Sequence, residues 1–190
     1  MAVQIGLKGL VYALLTEDLI ADGATAGKTT YSAPVSIPGV ISATINPNAT
    51  IETLFADDGP METATALGKI DVEIVVGDMT NTIQSVLLGH TITAGVLHRK
   101  AGDVPPWVAI GFKSVKSNGK YRFVWLLKGK FSIPEMKNDT KSDKITWVNP
   151  TIKGAFAKRD SDDEWIKQAD EDDEEFVSAS TFLTAVEATV

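Results

Sequence analysis

The chain has no cysteine in its 190 residues, which excludes a disulfide framework and any thiolate metal site. It has only two histidines, His90 and His98, and they lack the H-x-x-x-H type of spacing from which a histidine metal centre is built. No apolar run approaches the roughly 20 residues that a membrane-spanning helix needs. The opening MAVQIGLKGLVYALLTED carries a single lysine and no A-x-A cleavage site before Glu17-Asp18, so it reads as a strand and not as a signal peptide. With no secretory signal, the Asn-x-Thr sequons at Asn48 and Asn138 are chance matches. A basic excess is missing as well. The net charge is −7, and a nucleic-acid-binding module needs a basic stripe to displace counterions along the phosphates.

What is present is ordinary for a globular domain: 44% hydrophobic and 23% charged residues. A chain of this length fits one domain spanning 1–190 and buries roughly 70% of its unfolded surface without staples. The acidity is concentrated. Residues 160–175 hold ten acidic residues and one lysine, a local −9 that leaves +2 for the rest of the chain. This run, an acidic loop region over about 159–176, reads as a solvated face with a weak strand around Trp165.

The best-specified stretch is VPPWVAIGFKSVKSNGKYRFVWLLKGKFSIP, Val104 to Pro134. Asn118-Gly119 tolerates the positive φ of a two-residue hairpin turn. The flanks are aromatic or β-branched: Trp107, Val108 and Ile110 before it, Tyr121, Phe123 and Trp125 after it. Elsewhere Gly9–Leu15 reads as a buried strand, and Thr16 to Ser36 as a loop. Val40–Asn46 alternates Ile41, Ala43 and Ile45 against Ser42, Thr44 and Asn46, with Pro47 ending it. Ile51–Phe55 is a short strand before the breaker-rich Asp57-Asp58-Gly59-Pro60. Lys69–Val76 alternates most cleanly, with Ile70, Val72, Ile74 and Val76 opposite Lys69, Asp71 and Glu73. A helix follows, with Asn81 as cap, Gln84 as its capping-box partner and Gly89 at the C-terminal turn. Ile92–His98, Lys144–Val148 and Thr151–Lys158 are further strands, the last two interrupted by Pro150 and so expected at an edge or around a bend. The C-terminal segment 177–190 has helix-compatible Phe182, Leu183 and Val186. The whole points to a mainly β (α+β) sandwich or barrel with one packed α-helix.

Signs of chemistry are weak. Gly27-Lys28-Thr29 lacks the glycine that a phosphate loop needs five residues earlier, where Asp22 stands. Asp170–Glu175 does not follow the EF-hand spacing, and no Ser-His-Asp arrangement stands out. Trp107, Trp125, Trp147 and Trp165 would serve as carbohydrate platforms if exposed. Three of them sit in strand patterns where aromatics pack, and Trp165, among charges, is the one expected at the surface. The reading is of a protein without enzymatic activity, metal or cofactor.

The Val104–Pro134 stretch resembles the corresponding region of the phi13-type phage major tail proteins. GLKGLVYALLTED, VSIPGVISATINP, FADDGPMETATALGKIDVEI, LLGH at Leu87–His90, PTIKGAFAKRD and WIKQADEDDEEF resemble further parts of that family in its order, from Gly6 to Phe176. The resemblance implies a single tail tube domain with long inter-subunit loops. Copies would form hexameric rings stacked into the tube of a phage tail, assembled in the bacterial host cytoplasm and functioning in the virion. Its implied partners are the chain itself, a tape-measure protein, tail terminator and distal tail or baseplate proteins, and genomic DNA crossing the lumen without specific binding. Asp57, Asp58, Gly59, Pro60, Met61 and Glu62, within the loop Asp57–Thr65, are with the termini the expected inter-ring contacts. Asp71 and Glu73 are the expected acidic residues of the lumen, where like charge would let DNA slide. The competing class is a virion decoration or host-surface carbohydrate-binding module.

Overall fold

The computed structural model describes residues 2–21, 27–56, 59–136, 147–176 and 179–186. The elements run β1 (Gln4–Leu19), β2 (Lys28–Tyr31), β3 (Val35–Ser36), β4 (Val40–Ala56), β5 (Gly59–Val76), α1 (Asn81–Leu88), β6 (Thr91–Thr93), β7 (Val96–His98), β8 (Val108–Lys116), β9 (Tyr121–Phe131), β10 (Thr151–Ala157) and β11 (Ile166–Asp170). Nine of the strands form one antiparallel sheet in the order β2-β1-β8-β9-β10-β5-β4, with β3 on β1 and β11 on β9. The sheet curls into a half-barrel. The fold is mainly β with one helix, as the strand patterns indicated.

The inner face follows from period-2 alternation. Ile70, Val72, Ile74 and Val76 of β5 point inward with Ile110 and Phe112 of β8 and Val124 and Leu126 of β9. Helix α1 closes this core with Ile83, Leu87 and Leu88. The outer face of the central strands is covered too. Ala13, Ala109, Trp125 and Leu127 lie under Phe182, Leu183 and Val186, and the Trp125 indole Nε1–H donates to the Phe182 carbonyl at 2.8 Å. Glycine makes room for the large rings: a Cβ at Gly111 would lie 2.8 Å from the Trp125 ring, and one at Gly129 2.3 Å from Phe156.

Several local expectations are corrected. The Asn118-Gly119 hairpin joins β8 and β9 through three residues, Ser117 to Gly119. Lys116 and Lys120 close it, and only Gly119 has positive φ (82°). That is a type I turn with a glycine bulge, not a two-residue turn. The two-residue turn lies instead at Ala94-Gly95, both at positive φ, between β6 and β7. Pro47 does not end its strand. Opposite Asn48, Gly68 and Lys69 share a bulge, the ladder slips by one residue, and β4 continues to Ala56. Ile41, the extra residue at another slip, is exposed, while Ala43 and Ile45 pack inward.

Thr80, not Asn81, caps α1, accepting from the Ile83 N–H, while Gln84 donates to the Met79 carbonyl; Gly89 takes the left-handed turn. The supposed loop from Thr16 to Ser36 contains the end of β1 and both β2 and β3. Thr151–Ala157 is an interior strand between β9 and β5, because Pro150 precedes it and still accepts from the Val76 N–H. Residues 144–146 of the expected Lys144–Val148 strand, like the sequon at Asn138, lie outside the described residues, and Trp147-Val148 is irregular. The C-terminal segment forms turns over 179–184 instead of a helix.

Candidate assembly surface

Strands β4 and β5 make a hairpin much longer than the body of the protein. Its inner half, around Val40–Asn46 and Asp71–Val76, belongs to the curled sheet. Beyond the bulge, Ala49–Ala56 pairs with Gly59–Leu67 and extends about 25 Å at the usual rise per residue. Almost every described side chain on this outer half is exposed, including Met61 at 71% and Ile51 and Phe55 at 69% each. The outer half is an arm, and its strand character is encoded by β-branched and threonine residues.

Directly opposed residues share a face. One face of the arm holds Ala49, Ile51, Thr53 and Phe55 with Leu67, Thr65 and Thr63, and carries no charge. A Thr53–Thr63 hydroxyl contact of 3.2 Å crosses it. The other face holds Thr50, Glu52 and Leu54 with Ala66, Ala64 and Glu62. From Asn46 to Gly68 the sequence has four acidic residues and no basic one. The arm is thus amphipathic, and neither face is covered by the described residues.

Of the expected inter-ring residues, Gly59, Pro60, Met61 and Glu62 begin β5 at the far end of this arm rather than forming a free loop; Asp57 and Asp58 lie outside the described residues. Asp71 and Glu73 do share the polar face of β5, but roughly 30 Å along the strand from Glu62. The Asp71 carboxylate accepts from Asn48 Nδ2 at 2.8 Å and faces Lys69 Nζ at 3.1 Å. The hydrogen bond from Asn48, then that from Lys69, hold its pKa below the usual carboxylate range. Glu73 lies 4.0 Å from Lys153. Each acid therefore has a cation beside it.

The acidic run is not a bare solvated face. Asp170 makes a two-pronged pair with Arg122 (2.5 and 2.6 Å), and Asp172 meets Lys116 at 2.6 Å. The Arg122 bond chiefly lowers the Asp170 pKa. Asp162 and Glu164 flank the fully buried Arg159. Lys128 bridges Asp18 and Asp160, 2.7 Å from each. Burial pushes the Asp18 carboxyl up, but the Asp160 N–H and Lys128 outweigh it and hold the group below its usual range. Thr29, read with Gly27 and Lys28 as a polar loop, is buried on β2 and contacts Ser161 at 2.5 Å, while Lys28 pairs with Glu17. The segment is a strap along β9 whose charges are largely matched by cations of β8, β9 and Arg159.

The tryptophans are redistributed in the same way. Trp165 packs against the core. Trp147 is 81% exposed, beside an open groove of about 810 Å³ lined by Met79, Arg99, Ile133, Met136 and Lys153 among others. Trp107 is partly exposed beneath the ammonium groups of Lys128 and Lys130. His90 is buried with Nδ1 2.7 Å from Asp103, tying the loop before β8 to the end of α1. Among the described residues, no group of three or more His, Asp or Glu side chains is arranged to hold a metal ion, and no helix is long and apolar enough to cross a membrane. No family model and no curated protein matches the chain.

Proposed function

We propose that this chain is a structural subunit of a phage tail tube, polymerising as stacked hexameric rings around a tape-measure protein to form the conduit for DNA ejection. The observation that carries the reading is the arm. A 17-residue strand and its 18-residue partner are extended well past the body, with an uncharged face that the chain itself leaves bare. Contiguous exposed apolar surface of this kind is a mark of protein–protein contact. The outer edge of β4 also has no neighbour in the sheet order, and an open edge offers repeatable backbone hydrogen bonds to another copy. Ring closure and ring stacking are two different heterologous contacts, and an edge plus an arm supply two surfaces.

Asp71 and Glu73 remain the proposed acidic contribution to the lumen, weakened by the cations beside them; a tube map with this face outside removes the assignment. Negative-stain microscopy of the purified protein is the direct test. Rings or hollow tubes are the expected result, and persistent monomers at high concentration would end the proposal. Removing Asp58–Glu62 is expected to abolish tubes, and normal tubes from that variant would clear the arm tip of any part in stacking. The second reading, a decoration or carbohydrate-binding module, is favoured by one observation, the exposure of Trp147 beside the groove. Glycan binding that is lost on Trp147→Ala, without tube formation, would establish it instead.

A further inference from the structure

Many of the described cations are matched, although Arg99, Lys100, Lys120 and Lys130 show no ion pair among the described residues. Lys116, Arg122, Lys128, Lys153, Lys158 and Arg159 each lie against a carboxylate. Lys8 of β1 and Lys113 of β8 are different. They are directly opposed across the two strands, on the face turned away from the core residues Leu7 and Phe112 that adjoin them. No carboxylate forms an ion pair with either among the described residues. Lys113 Nζ instead lies 4.6 Å over the Tyr121 ring. Gly9, with φ of 64°, lies beside the Lys113 stem, which a Cβ there would meet at 3.5 Å. Like charges directly opposed across a ladder are unfavourable, so an anion placed against this pair relieves their repulsion. Two exposed aliphatic residues precede Lys8, Val3 just before β1 and Ile5 within it.

The arm carries the converse pattern. Glu52 and Glu62 are diagonal neighbours on one face with the exposed Leu54 between them, and neither has an ion-pair partner among the described residues. Diagonal neighbours lie roughly 7–8 Å apart at the backbone, a spacing that two long lysine side chains can span from adjacent strands.

We propose that the acidic face of the arm, Glu52 with Leu54 and Glu62, docks on the Lys8–Lys113 pair of a second copy of this chain. The contact is heterologous, because donor and acceptor are different surfaces, and so it propagates instead of closing a dimer. It leaves the uncharged face of the arm, with Ile51, Phe55 and Leu67, for the hydrophobic contact. This deepens the assembly reading above and names the surface that receives the arm.

The test is a charge exchange read by sedimentation velocity at low and at moderate salt. Glu62→Lys and Lys113→Glu, each alone, are expected to weaken self-association about tenfold or more, with the wild-type association itself weakening as salt rises. The chain carrying both changes is expected to regain association, and melting curves of all three are expected to stay close to the wild type, because Glu62 is exposed and the half-buried Lys113 holds no carboxylate among the described residues. Singles that associate like the wild type, or a double variant no better than the singles, overturn the proposal. The absence of native cysteine allows a second readout: Glu62→Cys copies mixed with Lys113→Cys copies should cross-link through a short bismaleimide. Tubes without the cross-link or the rescue would sink this contact and leave the tube reading. Cross-linked, salt-sensitive oligomers that never become tubes would do the reverse, and a chain that stays monomeric under all conditions would sink both.

Discussion

Two hairpins of similar sequence character end in opposite situations. The β8–β9 hairpin is largely enclosed: its inner face lies in the main core, the C-terminal turns cover part of its outer face, and β11 of the acidic segment pairs with the edge of β9. The outer half of the β4–β5 hairpin is bare on both faces, though it is just as regular in pairing. Isolated two-stranded hairpins are marginal in water, so the arm is held in shape by continuity with the sheet and, in the proposed tube, by neighbours. In the proposed tube, the contrast separates residues that build the subunit from residues kept for other copies. Apart from the outward-facing Lys113, substitutions in the first hairpin should therefore act on folding, and substitutions in the second on assembly.

The largest expected effect is at Trp125. Trp125→Ala removes a ring enclosed between Gly111 and the C-terminal turns together with its bond to Phe182, and should lower unfolding free energy by about 3–5 kcal/mol, measured by urea titration. If the loss is below about 1 kcal/mol, the C-terminal cover is not a working part of the core. Next is Lys128→Met, which leaves Asp18 and Asp160 facing each other without their shared ammonium. Removing one member of a buried ionic group costs about 3 kcal/mol or more. A variant as stable as the parent would mean that water already solvates this site.

How much of this was legible beforehand depends on what each pattern is made of. Lys69–Val76 could be read because its alternation is undiluted, and the half-buried face it implies is the one observed. Helix α1 was readable from its apolar spacing and Gly89, although Thr80 captured the cap one residue early. The arm was only partly legible. Ala49–Phe55 alternates as a strand should, but Pro47 and Asp57-Asp58-Gly59-Pro60 look like stops, and a bulge that absorbs the slip is invisible without the partner strand. The charge strap was misread because an acidic run looks solvated until the cations of β8 and β9, more than thirty residues away for Lys116 and Arg122, are folded against it. Trp147 and Trp165 exchanged expectations for the same reason: exposure is a property of what comes to lie above a residue, not of its neighbours in sequence.

A smaller effect is expected from pH. Asp170 and Asp18 have folded-state pKa values below their ordinary ones, through Arg122 for the first and through the Asp160 N–H and Lys128 for the second. A carboxylate depressed in the folded state binds protons more readily when unfolded, so its contribution is fully present above the ordinary carboxylate range, near pH 4, and is lost as pH falls through the folded values. Urea midpoints should be level from neutral pH down to about pH 5 and decline below it. In Arg122→Gln the decline should be shallower, because Asp170 has lost its chief cause of depression. An unchanged slope in that variant would place the acid sensitivity elsewhere.

The smallest expected effect on stability is also the sharpest test of the contrast between the hairpins. Ile51→Ser and Phe55→Ser remove apolar groups that are already exposed to water in the single chain. No transfer free energy is lost on the folded side, so unfolding midpoints should stay within about 0.5 kcal/mol of the parent. The same changes should suppress assembly strongly, because a neighbour burying these side chains gains roughly 1.5–3 kcal/mol for each, multiplied along a polymer. Thermal melts paired with sedimentation of the same samples give both numbers. A large stability loss would show the arm folding back on its own body, whereas undiminished assembly would mean that its uncharged face is not what neighbours bury.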